Sequence, residues 1–187
     1  DQAGNSTTVS VNVTVDSAPP VLTVTSPANG ALVNAATVQI TGTVTDASTT
    51  TLTIGGAAVT IVGGAFTHVA PTGSDGSQVY ILTATDAAGN ETTQSLTVNV
   101  DRTAPTLSIS SPASGAHVAT QPVTVHGLVT DLTTTTVTVN GVAATRTADA
   151  WQAVLTLPDG PQTLTAVATD AAGNQATATR NVTLDTA

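Results

Sequence analysis

The chain has 187 residues, 40% of them apolar but only 8% charged, and its net charge is −9. Its only basic residues, Arg102, Arg146 and Arg180, are too few for a nucleic-acid footprint, and an acidic membrane surface would repel it. There is no cysteine, so disulfides and thiolate chemistry do not enter, and no apolar run reaches the length of a membrane span or reads as a signal peptide.

Threonine supplies about a fifth of the residues and valine is the other abundant β-branched type, a bias that favours strands. Apolar residues alternate, as in "VSVNVTVD", "LTVNVD" and "TTVTVNG", and no window carries them at helical spacing over the length a helix needs. The pattern predicts an all-β protein.

In chain order, residues 1–17 read as the closing strand and linker of an earlier unit. The chain opens without methionine and in mid-pattern, as a piece cut from a longer array would. A full unit follows over 18–102 and a second over 103–187. "VTVDSAPPVLTVTSPANGALV" (Val13–Val33) matches "VNVDRTAPTLSISSPASGAHV" (Val98–Val118) at an offset of 85, and "TGTVTD" matches "HGLVTD" at the same offset. "TDAAGN" occurs at Thr85–Asn90 and again at Thr169–Asn174, with a relative, "DQAGN", at Asp1–Asn5. Repetition at this length points to an array of small domains, each long enough to own a core.

The second unit shows the predicted strands best. Strand A covers Thr106–Ser110 and ends at "SPASG"; strand B covers Pro122–Thr130. Strand C covers Thr135–Val139 and closes at Asn140-Gly141, a two-residue hairpin signal. Further strands cover Val142–Thr147, Trp151–Leu157 (E), Thr163–Thr169 (F) and Gln175–Leu184 (G). The first unit follows the same plan, with Gly55-Gly56 in place of Asn-Gly. About seven strands with turns every 8–12 residues predict two tandem immunoglobulin-like sandwiches joined head to tail.

The acidic residues carry the functional signal. Of 12, three open the "DxAGN" turns (Asp1, Asp86, Asp170), three end strand G (Asp16, Asp101, Asp185), two end strand B (Asp46, Asp131) and two sit in the E–F turn (Asp75, Asp159). Only Glu91 and Asp149 fall outside these repeating positions. Strands B and F run towards the pole where strand A starts, and the linker arrives there too. That parity places Asp16, Asp46 and Asp86 together, and likewise Asp101, Asp131 and Asp170. Three such carboxylates repel one another. Arg102 adjoins the second set, but Ser17 stands in its place in the first, so an ion pair is not their shared solution. A hard divalent cation that takes 6–8 oxygens is. Calcium between domains is therefore expected, with Asn90, Asn174 and turn carbonyls supplying further oxygens. The competing reading is that Asp and Asn are good turn residues that bond their own backbone.

The set "VNGV…W…LPDG…LTAVATDAAGN…VTLD", with "D-x-x-AP" joining units, resembles bacterial immunoglobulin-like repeats of giant secreted adhesins and other surface proteins. The resemblance covers both units and the N-terminal tail. It implies a secreted or cell-surface location and calcium bound between domains through aspartates matching Asp101, Asp131, Asp170 and their counterparts. Neither an EF-hand loop nor a calcium-binding nonapeptide repeat is present.

Other chemistry is weakly signalled. His68, His117 and His126 have no equivalents between units, and no nucleophile–base constellation converges, so no enzyme is expected within these residues. Phe66 and Trp151 align at the start of strand E and read as core anchors rather than sugar-stacking platforms; Tyr80 aligns with Leu164 and reads as core. Sequons at Asn5, Asn12, Asn90 and Asn181 follow from threonine richness. The expected function is an extracellular spacer, an adhesin stalk segment whose partners are neighbouring repeats, with lateral or end-to-end self-assembly through the unpaired tail. The alternatives are a carbohydrate- or protein-binding module and an accessory region of a secreted glycosidase.

Overall fold

A computed structural model describes residues 2–186. Asp1, which opens the first "DxAGN" stretch, lies outside the described residues. The first sandwich is built from β1 (Val21–Ser26), β2 (Ala31–Val33), β3 (Thr37–Thr45), β4 (Thr51–Ile54), β5 (Ala57–Val59), β6 (Ile61–Val62), β7 (Ala65–Pro71), β8 (Gly76–Thr85) and β9 (Glu91–Val100). One sheet has the order β1-β3-β7-β6, the other β2-β9-β8-β4-β5. The second sandwich repeats the plan with β10 (Thr106–Ser111), β11 (Ala116–Val118), β12 (Val123–Thr130), β13 (Thr136–Val139), β14 (Val142–Ala143), β15 (Thr145–Thr147), β16 (Ala150–Leu155), β17 (Gly160–Thr169) and β18 (Gln175–Leu184). Its sheets run β10-β12-β16-β15 and β11-β18-β17-β13-β14. The protein is all-β, two immunoglobulin-like sandwiches in tandem.

Strict alternation produces the cores. Along β12 every second residue is buried, and Val123, Val125 and Val129 meet Trp151, Leu155, Leu164 and Leu184 in one apolar cluster. In the first sandwich Ile40, Leu52, Leu82 and Val98 are each at most 2% exposed. Trp151 and Phe66 are buried anchors, at 2% and 3% exposure. Tyr80, expected in the core, is only half-buried, and that partial burial pushes its hydroxyl pKa up.

Strand A ends near "SPASG" as expected, as β10, and the chain then crosses to the other sheet in a short strand that the sequence did not show, β11, where Ala116–Val118 runs parallel to Val182–Leu184. Pro112 offers no N–H to continue the first ladder, and Gly115 turns the chain at φ 73°. The stretch Val142–Thr147 divides, β14 pairing β13 and β15 pairing β16. Both switches recur in the first sandwich.

In the tail, residues 5–20 carry no strand or helix, and Val9, Val11, Val13 and Val15 are 78–84% exposed. The reason is that the strand position they match is already filled, by β9 beside β2 in the first sandwich and by β18 between β11 and β17 in the second.

Candidate functional site: two aspartate clusters

Asp46 and Asp131 follow β3 and β12, Asp86 and Asp170 follow β8 and β17, and Asp16 and Asp101 lie in the extended stretches leading into β1 and β10. The fold brings them together as two triads. In Asp16, Asp46 and Asp86, and again in Asp101, Asp131 and Asp170, one carboxylate oxygen from each residue lies within 4.8 Å of the others. Asp86 and Asp170 are buried, at 7% and 6% exposure; the other four are half-buried.

Each carboxylate is oriented by its own turn. Asp46 Oδ1 accepts from the Ser48 N–H and hydroxyl, both at 2.8 Å, and Asp131 Oδ2 from those of Thr133, at 2.8 and 2.6 Å. Asp16 and Asp101 each accept the N–H two residues on, at 3.2 Å. Asp86 Oδ1 accepts the N–H groups of Ala88 (2.9 Å) and Asn90 (2.8 Å), and Asp170 Oδ1 that of Asn174 (2.8 Å). The glycine of each turn sits at positive φ, 94° at Gly89 and 92° at Gly173, a conformation that side chains with a Cβ resist.

The asparagines have a role the sequence reading did not assign. Asn90 Nδ2 donates to Asp86 Oδ2 (2.8 Å) and to the backbone oxygen of Asp16 (3.1 Å). Asn174 Nδ2 does the same for Asp170 Oδ2 and the Asp101 carbonyl, both at 2.8 Å. Both partners are acceptors, so it is the nitrogen that faces them. The motif thereby staples the incoming linker to the turn after strand F. The Asn90 side-chain amide holds the Asp86 carboxyl below the usual carboxylate range, against burial, which pushes it up; backbone N–H groups of the turn assist the amide.

Arg102 does not enter the second triad. Its Nε pairs with Asp75 Oδ1 at 3.5 Å and its guanidinium donates to the Gly73 carbonyl. Thr103 adds a hydroxyl to Asp75 Oδ2 at 2.7 Å, which with Arg102 lowers the Asp75 pKa. Asp159 likewise receives the Thr186 N–H (3.1 Å) and hydroxyl (2.7 Å). The E–F turn aspartates therefore latch the exit of strand G. A repeated "D-x-[S/T]" after strand B was the sequence signal for the Ser48 and Thr133 hydroxyls.

The triads suit a hard cation chemically. All six residues offer oxygen, and Asp101 Oδ2 is buried without a hydrogen-bond partner. A buried carboxylate oxygen left unpaired is costly, and a bound cation would relieve it together with the mutual repulsion of the triad.

A family model described as "Glucodextranase, domain B" matches twice, over residues 20–102 and 105–186. The chain belongs to the glucodextranase domain B family. Of curated proteins, Bacillopeptidase F of Bacillus subtilis (strain 168) is 35% identical over 99 residues, which cover 51% of this chain and 7% of that protein. This chain thus spans a small fraction of that relative's length. Of solved structures, the fibronectin(III)-like modules of Clostridium thermocellum CbhA superpose with a TM-score of 0.58 at 15% identity, covering 88% of this chain and 94% of that one. The titin I-band fragment I67-I69 gives 0.55 at 14%, covering 90% and 66%. These likenesses are of fold. No helix among the described residues is long and apolar enough to cross a membrane.

Proposed function

We propose that these domain B repeats are an extracellular spacer in which calcium, held by each aspartate triad, ties the incoming linker to the sandwich that follows. The observation that carries this reading is the second triad, in which Asp101 Oδ2 is buried and unpaired beside the carboxylates of Asp131 and Asp170. Asp101 comes from the linker, while Asp131 and Asp170 come from the turns after strands B and F. A cation shared among them would restrain the linker's direction. The asparagines Asn90 and Asn174 would hold the carboxylates in place and, through turn carbonyls and bound water, the remaining coordination positions would be filled. Secretion or surface display, and end-to-end association through the exposed tail, belong to the same reading.

The family match favours a second reading of the whole polypeptide, in which the same spacer is an accessory region of a secreted carbohydrate-active enzyme. It leaves the role of this stretch unchanged. A sugar-gripping role is less well served, because Phe66 and Trp151 are both buried and offer no stacking face.

Calcium titration followed by calorimetry tests the proposal. Two sites are expected, with dissociation constants of about 10⁻⁴–10⁻³ M. Asp131→Asn should remove one of them and leave the other. Absence of saturable heat at millimolar calcium would return the triads to plain turn chemistry.

A further inference from the structure

The two sandwiches differ at one edge position. In the second, Arg146 on β15 pairs across from Trp151; in the first, Ile61 on β6 pairs across from Phe66. An equivalent backbone hydrogen bond frames both, Val129 N–H donating to the Asp149 carbonyl and Val44 N–H to that of Gly64, each at 2.8 Å. Arg146 folds inward over the loop between strands B and C. Its Nη1 donates to the Thr135 carbonyl at 2.7 Å and to the Thr135 hydroxyl, and its Nη2 to the Ala148 carbonyl at 3.1 Å. Beneath it Thr135 is 4% exposed.

The first sandwich keeps the acceptors and lacks the guanidinium. Thr50 replaces Thr135 and is only half-buried. Beside it lies a groove of about 390 Å³, walled by Asp46, Thr50, Ile61, Gly63 and Gly64. Its rim carries no side chain at Gly63, where an added Cβ would meet nothing within 4 Å, whereas the second sandwich has Ala148 there. We propose that this groove is a receptor site for an arginine side chain of a partner protein, the vacant counterpart of the place Arg146 fills from within.

Three observations define the occupant. The hydrogen bonds of Arg146 show which head group the acceptors fit: a planar fork that reaches two carbonyls and a hydroxyl at once, which an ammonium does not match. The charge is complementary, with Asp46 on the wall and a net charge of −9 over the chain. The chain's own arginines are engaged already: Arg102 with Asp75 and Gly73, Arg146 with Thr135 and Ala148, and Arg180 with the carbonyls of Ile109 and Pro112. An arginine from a second copy of these residues would have to give up such a contact, which favours a different protein as the source.

The test is a titration of the isotope-labelled chain with N-acetyl-arginine amide, followed by NMR in a buffer with chelator, so that triad occupancy does not enter. Saturable shifts are expected at Thr50, Gly63 and Gly64, with a dissociation constant on the order of millimolar for so small a probe. N-acetyl-lysine amide should not reproduce them. Ile61→Arg, which installs the internal occupant, should abolish the shifts, and Thr50→Val, which removes one acceptor, should weaken binding about tenfold. No saturable shift at these residues, equal shifts with the lysine probe, or full binding retained by both variants would overturn the proposal.

Discussion

Single residues decide how tightly each sandwich closes. Gly42 and Gly127 sit on strand B directly under the strand E aromatics. A Cβ at Gly127 would overlap the Ser108 carbonyl oxygen and the Trp151 ring, and one at Gly42 the Thr23 carbonyl and the Phe66 ring. Gly127→Ala should therefore destabilise the second sandwich by about 3 kcal/mol, read as a lower urea midpoint. The alignment showed both glycines but not their reason, because the clash is with a strand that is remote in sequence. The turn aspartates give a pH-dependent counterpart. The folded-state pKa of Asp86 is lowered, chiefly by the Asn90 amide, so this interaction stabilises the fold at pH values above the ordinary carboxylate range. The stabilisation drains away as pH falls through the folded-state value. Asn90→Ala should accordingly lower the melting temperature between pH 5 and pH 7, a window above the ordinary carboxylate range. The deficit should shrink as the protein is acidified below that range. A deficit independent of pH would show that Asn90 acts through the Asp16 carbonyl alone.

At the scale of elements, alternation made strands legible and strand parity made the meeting of three aspartates legible. Both follow from the period of two along an extended chain. Sheet membership was hidden, since whether Ala116–Val118 pairs with β10's neighbours or with β18 depends on long-range partners rather than on local pattern. The tail shows the same limit. Val13 aligns with Val98 in sequence, yet Val13 is 78% exposed and Val98 fully buried. Equal strand propensity thus gives opposite outcomes, depending on whether a ladder position is open. Val98→Asp should cost more than about 4 kcal/mol, as an unpaired charge in a core does. Val13→Asp should change stability by less than about 0.5 kcal/mol. A comparable loss at Val13, measured by the same denaturant series, would mean that the tail is docked in solution.

At the scale of the whole molecule, calcium is expected to act on linkers rather than on folding. At millimolar calcium a site of about 10⁻⁴–10⁻³ M contributes only roughly 0.4–1.4 kcal/mol by mass action, small beside the two apolar cores. Chelation should therefore leave the far-ultraviolet circular dichroism unchanged. The linkers "DSAPP" and "DRTAP" hold proline and are already stiff, so the cation has little left to restrain beyond the bonds on either side of Asp16 and Asp101. The second linker carries its own reporter, the Arg102–Thr103 bond, a tryptic site next to a proposed ligand. Arg146 and Arg180 lie within strands, β15 and β18, where ladder hydrogen bonds keep a protease from the extended conformation it needs. Trypsin should cut at Arg102 faster in chelator than in calcium, releasing pieces that end at 102 and begin at 103. Asp131→Asn should give the fast rate in either buffer. Arg102 also anchors to Asp75 and Gly73, so Asp75→Asn should raise the rate in both buffers while preserving the calcium response. Cleavage at one rate with and without calcium, in the unmodified chain, would remove the mechanical role from the aspartate triads and leave them as turns.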